Sequence, residues 1–160
     1  MEERLTHLGE HSPLFSHDGI HDSQTHLASP SFFYEQLRRQ LALSARSTLS
    51  FSIIKISFEK NCKALSGSSI GAADVLHFSC ELKTLTRSED CIGRIGVSEF
   101  LILISDEEVA ARQLLNRLES ATSLSLNHTL HISLSIVTSL CGESGLDILN
   151  RLDTAALSTH

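Results

Sequence analysis

Arg87 and Asp90 are the residues of this 160-residue chain whose types and spacing most directly suggest recognition chemistry. A guanidinium can donate two hydrogen bonds to O6 and N7 of guanine, and a carboxylate can accept hydrogen bonds from the N1 and N2 protons. An Arg and an Asp together can therefore recognise one purine without a metal or a catalytic base. The alternative is an exposed ion pair that contributes little to stability, and the Arg-x-x-Asp spacing alone occurs by chance in many proteins.

The segment after this pair has the pattern of a β-hairpin. Two short β-rich runs, Ile92 to Ile95 and Phe100 to Ile104, flank the turn residues Gly96, Val97 and Ser98. Short β-rich runs on either side of such a turn are a hairpin signal. The candidate recognition pair is therefore predicted to lie at the start of this hairpin.

Helices and strands alternate around the hairpin. The apolar periodicity predicts a helix from Pro30 to near Ser47, a strand from Leu49 to Ser57, a helix from about Val75 to Leu85, a helix after Asp106, a strand from Leu130 to Val137 and a short helix from Leu146 to about Ala156. The order is helix, strand, helix, hairpin, helix, strand, helix. This order predicts an α+β fold, a mixed α/β sandwich of the ferredoxin-like kind.

Composition and charge narrow the function classes. The hydrophobic fraction is 41%, which is ordinary for a folded globular domain. The net charge of -6, without a local Lys/Arg cluster, argues against nucleic-acid binding and attraction to anionic membranes. No apolar run approaches the roughly 18 residues that a membrane span needs. We therefore expect a cytoplasmic protein that does not insert into a membrane.

The four cysteines show no paired spacing. Cys62, Cys80, Cys91 and Cys141 have no C-x-x-C arrangement, and all but Cys62 lie in apolar-periodic segments. We predict that they are reduced and mostly buried, as is usual in a cytoplasmic protein.

The N-terminal residues 1–21 are predicted to be a linker or flexible tail, and residues 22–160 the folded domain. The tail has few apolar side chains and contains Pro13 and Gly19. Its histidines and the one just beyond it raise a metal-binding alternative, but no cysteine or carboxylate cluster accompanies them at ligand spacing. These histidines are His7, His11, His17, His21 and His26.

Separated segments that extend from Asp22 to His160 resemble the GGDEF domains, which make cyclic di-GMP. Asp22, Thr25, Leu27 and Phe33 match the family's motif D-x-L-T-x-L-x-N-R-x-x-F. The other matches are Ile53 to Ser57 with Lys60 (D-x-D-x-F-K), Gly67 and Gly71 (G-H-x-x-G-D), Arg87 and Asp90 (the R-x-x-D inhibitory site, five residues before the signature), Gly96 to Phe100 (the GGDEF signature), Ser133 to Ser135 (S-I-G) and Asp153 to Ala155 (A-D-x-A-L-Y). The resemblance implies a nucleotidyl-cyclase-like fold with a central, mainly antiparallel sheet flanked by helices.

The positions that the resemblance assigns to catalysis are altered. Members of this family that are active join two GTP molecules and use carboxylates to hold divalent metal at the triphosphate. The altered positions here are Lys55 and Ser57 for the two strand aspartates, Lys63 and Ala72 for the guanine-binding Asn and Asp, Val97 and Ser98 in the signature, and His160 for a phosphate-binding Lys. Glu99 is retained. We therefore expect no catalytic residue, no bound Mg²⁺ and no enzymatic activity.

The R-x-x-D pair needs none of those groups. In the family it binds an intercalated dimer of cyclic di-GMP, often with another Arg from a neighbouring helix or a second protomer, and Arg117 is the candidate for that contact. The resemblance thus implies a cyclic di-GMP receptor that acts on a partner protein or a neighbouring domain, with a homodimer as one form. The alternative is a nucleotide-independent interaction or dimerisation module. A GTP-binding regulator is a third possibility, which Lys63 and Ala72 argue against.

Overall fold

The computed structural model describes residues 12–61, 70–126 and 128–159. The elements are α1 (Pro30–Ser47), β1 (Ser52–Lys60), α2 (Ala72–Leu85), β2 (Cys91–Arg94), β3 (Glu99–Ile104), α3 (Glu108–Ser120), β4 (Leu130–Thr138), α4 (Gly145–Thr154) and β5 (Ser158–Thr159). The predicted order of helices and strands is confirmed. The two-residue β5 was not predicted.

The strands form one sheet in the order β2-β3-β1-β4-β5, and every neighbouring pair is antiparallel. Because β3 is antiparallel to both β1 and β2, the strands β1 and β2 run in the same direction with β3 between them. This arrangement is a split βαβ unit, which is the basis of the ferredoxin-like fold. The predicted α+β class with a central antiparallel sheet is confirmed.

The alternation of side chains along β1 divides the core into two clusters. Ile54, Ile56 and Phe58 lie in one cluster with residues of α2 and α3, whereas Ile53 lies in the other with residues of α1 and α4. All four side chains are buried, and each contributes roughly 1.5–3 kcal/mol on burial. Since side chains alternate in a strand, Lys55 and Ser57 continue the face of Ile53, and both are only partly buried. The face of β1 that carries Ile53 is therefore polar at Lys55 and Ser57.

The start of β1 differs from the prediction by three residues. Thr48 adopts a left-handed conformation with φ 58° and ends α1, and the exposed Leu49 lies in the connection to the sheet. The strand continues to Lys60 because β4 pairs with it along that length. An apolar residue next to a strand was thus mistaken for part of it.

The predicted burial of the cysteines is wrong for those that the structure describes. Cys80 and Cys141 are exposed and Cys91 is half-buried, and all three are free thiols. Cys80 follows the buried Ser79 on α2 and is itself exposed, and Cys141 lies in the turn after β4. Cys62 lies outside the described residues.

A buried arginine connects the N-terminal segment to the hairpin. Arg94 is fully buried, and its Nη1 donates to both carboxylate oxygens of Asp22, at 3.2 and 3.0 Å, and to the carbonyl oxygen of Leu14. Its Nε and Nη2 both donate to the carbonyl oxygen of Val97 in the hairpin turn. The guanidinium also lies 5.2 Å from the centre of the Phe15 ring. Leu14 and Phe15 therefore contact the domain, while the boundary at residue 22 stays a prediction.

The same segment pairs with the free edge of β2. Ala28 donates to the carbonyl oxygen of Ile92 and accepts from the amide of Arg94, which forms a parallel bridge opposite Gly93. A Cβ atom at Gly93 would lie 2.8 Å from Cβ, Cγ and Cδ2 of Phe33 on α1. Gly93 therefore permits the close approach of α1 to the edge strand.

Within the described residues, no helix is long and apolar enough to cross a membrane.

We predict that Gly93→Ala destabilises the domain by about 1–3 kcal/mol, because the added methyl must displace the ring of Phe33. Urea unfolding followed by circular dichroism measures the change. Gly96→Ala is the matched control, since a Cβ there meets its nearest neighbour, Cβ of Glu99, at 3.4 Å. Equal stability of the Gly93→Ala variant and the unaltered protein would contradict the proposed close packing.

We also predict that Asp22→Asn lowers the free energy of unfolding by about 3–5 kcal/mol, since it leaves the buried Arg94 guanidinium without its counter-ion. The exposed pair of Glu108 and Arg112 on α3 provides the control. Glu108→Gln should cost no more than about 0.5 kcal/mol. Similar losses of unfolding free energy in the two variants would show that the buried Asp22–Arg94 pair stabilises the domain no more than the exposed pair does.

Candidate functional site

Arg87 and Asp90 lie in a single turn between α2 and β2. The amide of Asp90 donates to the carbonyl oxygen of Arg87 at 3.2 Å, and the amide of Arg87 donates to Oδ2 of Asp90 at 3.2 Å. These reciprocal hydrogen bonds fix the backbone between the two residues. The side chain of Arg87 is exposed, and Asp90 is partly buried. The turn thus presents the guanidinium and the carboxylate at the start of the hairpin.

The guanidinium of Arg87 already has a partner. Its Nη1 donates to Oδ2 of Asp106, just after β3, at 3.2 Å, and the two side chains are 47% and 54% exposed. Exposed ion pairs contribute between zero and about 1 kcal/mol because water and salt screen them. A ligand can therefore replace Asp106 at small cost.

Burial raises the pKa of the Asp90 carboxyl above its usual value. The bond from the Arg87 amide opposes this shift, the charge of Glu89 adds to it, and the charges of Arg87 and Arg117 oppose it. Arg117 is an exposed residue of α3. The charge of Arg117 therefore acts on Asp90, and a site formed by the three residues stays a prediction.

The altered catalytic positions lie near the other end of the hairpin. The Lys55 ammonium forms ion pairs with Oε1 of Glu99 at 3.2 Å and with Oδ1 of Asp153 at 3.0 Å. Glu99 is the first residue of β3, and Asp153 lies in the last turn of α4. The cation on β1 therefore joins a strand and a helix that are distant in sequence.

Ser57 and Ser98 lie beside this cluster and line a shared cavity of about 280 Å³. Its lining also includes the polar residues Glu59, His131 and Ser133 and the apolar residues Phe58 and Ile70. Val97 is exposed at the hairpin turn, and Ala72 begins α2. Lys63 and His160 lie outside the described residues.

The residues at these positions do not fit a divalent metal ion. Mg²⁺ requires hard, preferably anionic oxygen ligands. Here the Glu99 carboxylate is bound by an ammonium, and Ser57 and Ser98 offer only neutral hydroxyl groups. In the described part of the chain, no group of three or more His, Cys, Asp or Glu side chains is arranged to hold a metal. That part includes His17, His21 and His26, whereas His7 and His11 lie outside it.

A comparison with protein families identifies the family of this chain. A family model described as "Diguanylate cyclase, GGDEF domain" matches residues 19–159. The chain belongs to the GGDEF family. A search of curated proteins found no significant match.

Solved structures show the same fold in other GGDEF domains. The GGDEF domain of DgcB from Caulobacter crescentus, solved in complex with c-di-GMP, is 15% identical with a TM-score of 0.71, and the match covers 88% of this chain and 90% of that one. A microbial GGDEF domain, solved in a study of its interaction with cyclic di-GMP, is 22% identical with a TM-score of 0.69 and coverages of 85% and 89%.

The diguanylate cyclase SiaD from Pseudomonas aeruginosa, solved in complex with its activator SiaC, is 21% identical with a TM-score of 0.71. That match covers 84% of this chain and 55% of SiaD, so the GGDEF domain described here spans about half the SiaD chain.

Sequence reasoning missed three contacts of these sites. Arg94 was not singled out, although a charged residue within an apolar strand is a signal of a buried ion pair or a functional role. Asp106 was named only as the residue before a helix, and its pairing with Arg87 depends on the tertiary arrangement. Asp153 was noted only as part of a C-terminal motif, and no sequence pattern links it to Lys55.

We predict that Arg117→Ala raises the pKa of Asp90 further above its usual value, because it removes a positive charge that favours the carboxylate. Carbon-detected NMR titration of the Asp90 carboxyl measures this pKa. Arg112→Ala on the same helix is the control, since Arg112 pairs with Glu108. An unchanged Asp90 pKa in Arg117→Ala would contradict the proximity of the two charges.

The sign of the Asp90 shift also has a stability consequence. An acid whose pKa is higher in the folded than in the unfolded state stabilises the fold below its unfolded pKa, and this contribution falls as pH rises through the folded pKa. At neutral pH the Asp90 carboxylate therefore costs folding free energy. Asp90→Asn should be at least as stable as the unaltered domain at pH 7, and a clear loss in urea unfolding would contradict this.

Proposed function

We propose that this GGDEF domain is a cytoplasmic receptor that binds cyclic di-GMP without making it. Arg87, Asp90 and Arg117 form the binding site, and binding changes the contact of the domain with a partner protein or a neighbouring domain. The observation that carries the proposal is the placement of Arg87 and Asp90 in one exposed turn, with the charge of Arg117 acting on Asp90.

The chemistry of this surface suits a guanine nucleotide. The Arg87 guanidinium can turn from Asp106 to O6 and N7 of guanine, and the Asp90 carboxylate can accept from N1 and N2. Arg117 adds a positive charge near the site, where it can meet a phosphate or a second base. Arg87 and Arg117 supply two cationic groups among the carboxylates of Asp90, Asp106 and Glu89.

The loss of synthesis follows from the charge at the altered catalytic positions. Lys55 repels the divalent ion that GTP chemistry requires, and Ser57 and Ser98 cannot supply anionic oxygen. The groups that would stabilise charge in the transition state, usually the largest catalytic contribution, are those that have changed. We therefore propose that the domain has no diguanylate cyclase activity and holds no resident metal.

Properties of similar proteins support the proposal. DgcB and the microbial GGDEF domain were solved with, or studied in their interaction with, cyclic di-GMP, and SiaD was solved with a protein activator. A nucleotide ligand is thus documented for domains of this fold, and a protein partner for a longer chain that contains one.

Isothermal titration with cyclic di-GMP tests the proposal, with GTP titrated in parallel. We predict micromolar or tighter binding of cyclic di-GMP, and a loss of about 10- to 100-fold in Arg87→Ala, because a bidentate contact contributes about 1–3 kcal/mol. Arg112→Ala is the matched control and should bind normally. Asp106→Asn should bind at least as tightly, since it releases the Arg87 guanidinium from a competing carboxylate.

Two results would contradict the proposal. The absence of heat at micromolar protein and ligand would reject the binding site. Chromatographic detection of cyclic di-GMP after incubation of the domain with GTP and Mg²⁺ would reject the loss of synthesis.

A nucleotide-independent interaction or dimerisation module is the second candidate function. Leucines are exposed where α1 ends, before β1, after β4 and where α4 begins: Leu43, Leu49, Leu140 and Leu146. Ser44 on α1 donates to the carbonyl oxygen of Leu49, which holds two of these segments together. Light scattering with and without cyclic di-GMP distinguishes the two functions. An oligomer whose mass does not change when the nucleotide is added favours the second function.

A further inference from the structure

Lys55 lies where three elements of the fold meet. It is in the middle of β1, where its backbone pairs with Leu101 of β3 on one side and Ser135 of β4 on the other. Its ammonium reaches Glu99 on β3 and Asp153 on α4, and only 25% of its side chain is exposed. One cation therefore connects the central strand, the hairpin and the C-terminal helix.

Two carboxylates share this one ammonium. Glu99 and Asp153 come from distant parts of the chain, and both have an oxygen within 3.2 Å of the same Nζ atom. Without a cation between them, their charges would repel each other. Burial together with the charges of Glu99 and Asp153 raises the pKa of Tyr34 on α1, so the negative potential of the pair extends to a fourth element.

The ammonium remains charged in this position. Burial alone would lower the pKa of Lys55, but the bond to Asp153, together with the charge and bond of Glu99, outweighs it and raises the pKa above its usual value. Lys55 thus carries its positive charge over the whole physiological pH range.

We infer that Lys55 is a resident cation that bridges Glu99 and Asp153, at a position that the resemblance assigns to a metal-binding carboxylate, and holds α4 against the hairpin. The inference is independent of cyclic di-GMP binding, because it concerns residues at the opposite end of the hairpin from Arg87. A covalently attached cation has no dissociation equilibrium, so the stability it provides does not depend on metal concentration. Removal of the ammonium leaves a pair of carboxylates that can attract a divalent ion.

The experiment compares Lys55→Met with the unaltered domain in thermal unfolding with and without about 10 mM Mg²⁺, a concentration above the ~0.1–1 mM dissociation constants of weak divalent-cation sites. The unaltered domain should unfold at the same temperature in both conditions. Lys55→Met should unfold at a lower temperature without the ion, and Mg²⁺ should restore part of the loss. Calorimetric titration with Mn²⁺ should show binding to Lys55→Met that Glu99→Gln in the same chain abolishes.

Lys83→Met is the matched control. The Lys83 ammonium donates to the carbonyl oxygen of Thr25, so its removal costs a contact without leaving two carboxylates. This variant should show no response to Mg²⁺ beyond that of the unaltered domain.

Three outcomes would overturn the inference. The first is Mn²⁺ binding to the unaltered domain that Glu99→Gln abolishes. The second is a folded Lys55→Met variant that responds to Mg²⁺ no more than Lys83→Met. The third applies if Lys55→Met folds in neither condition, and it is measured on the double variant Glu99→Gln with Asp153→Asn, which keeps the ammonium and removes its partners. A lower unfolding temperature of this double variant supports the bridging role of Lys55. An unchanged unfolding temperature overturns it.

Discussion

The buried ion pair of Arg94 and Asp22 is the constraint on which the position of the hairpin depends. A guanidinium without solvent contact needs partners for its donors, and this one obtains them from Asp22 and from the carbonyl oxygens of Leu14 and Val97. Asp22 in turn accepts from the amide and hydroxyl of Thr25. In the described part of the chain, no buried side-chain nitrogen or oxygen lacks a partner. The N-terminal segment, the edge strand and the hairpin turn therefore form one unit, although Arg94 and Asp22 are 72 residues apart.

The two ends of the hairpin carry charged clusters in different environments. Arg87 and Asp106 are about half exposed, so their interaction is screened by water and can be exchanged for a ligand. The Lys55 side chain is 25% exposed and its two carboxylate partners, Glu99 and Asp153, are 41% and 65% exposed, so the ammonium is screened less than Arg87 although its partners are not. The exposed Arg87 is therefore better suited to binding a ligand, and the more buried Lys55 to structural support. Solvent exposure sets this difference more than residue type does.

Local periodicity was sufficient to predict the order of elements and the fold class. The alternation in Leu130 to Val137 and the apolar stripe after Pro30 follow from the geometry of a strand and a helix, which are properties of neighbouring residues. The end of α1 at Ser47 was predicted, but the boundaries of β1 were not, because pairing with β4 extends the strand to Lys60 and Leu49 lies outside it. The exposed Cys80 and Cys141 show the same limit, since an apolar residue type does not specify which face of an element it occupies.

The sequence by itself determined the family resemblance, the proximity of Arg87 to Asp90 and the absence of carboxylates at Lys55, Ser57 and Ser98, because these depend on residue identity and short spacing. The tertiary structure decided which charges meet: Arg94 with Asp22, Arg87 with Asp106, and Lys55 with both Glu99 and Asp153. Electrostatic interaction depends on distance and solvent exposure in three dimensions, and sheet pairing brings together residues that no local pattern connects. The altered residue Lys55 was therefore visible in the sequence as a loss of metal ligands, and only the fold shows that it has gained two partners.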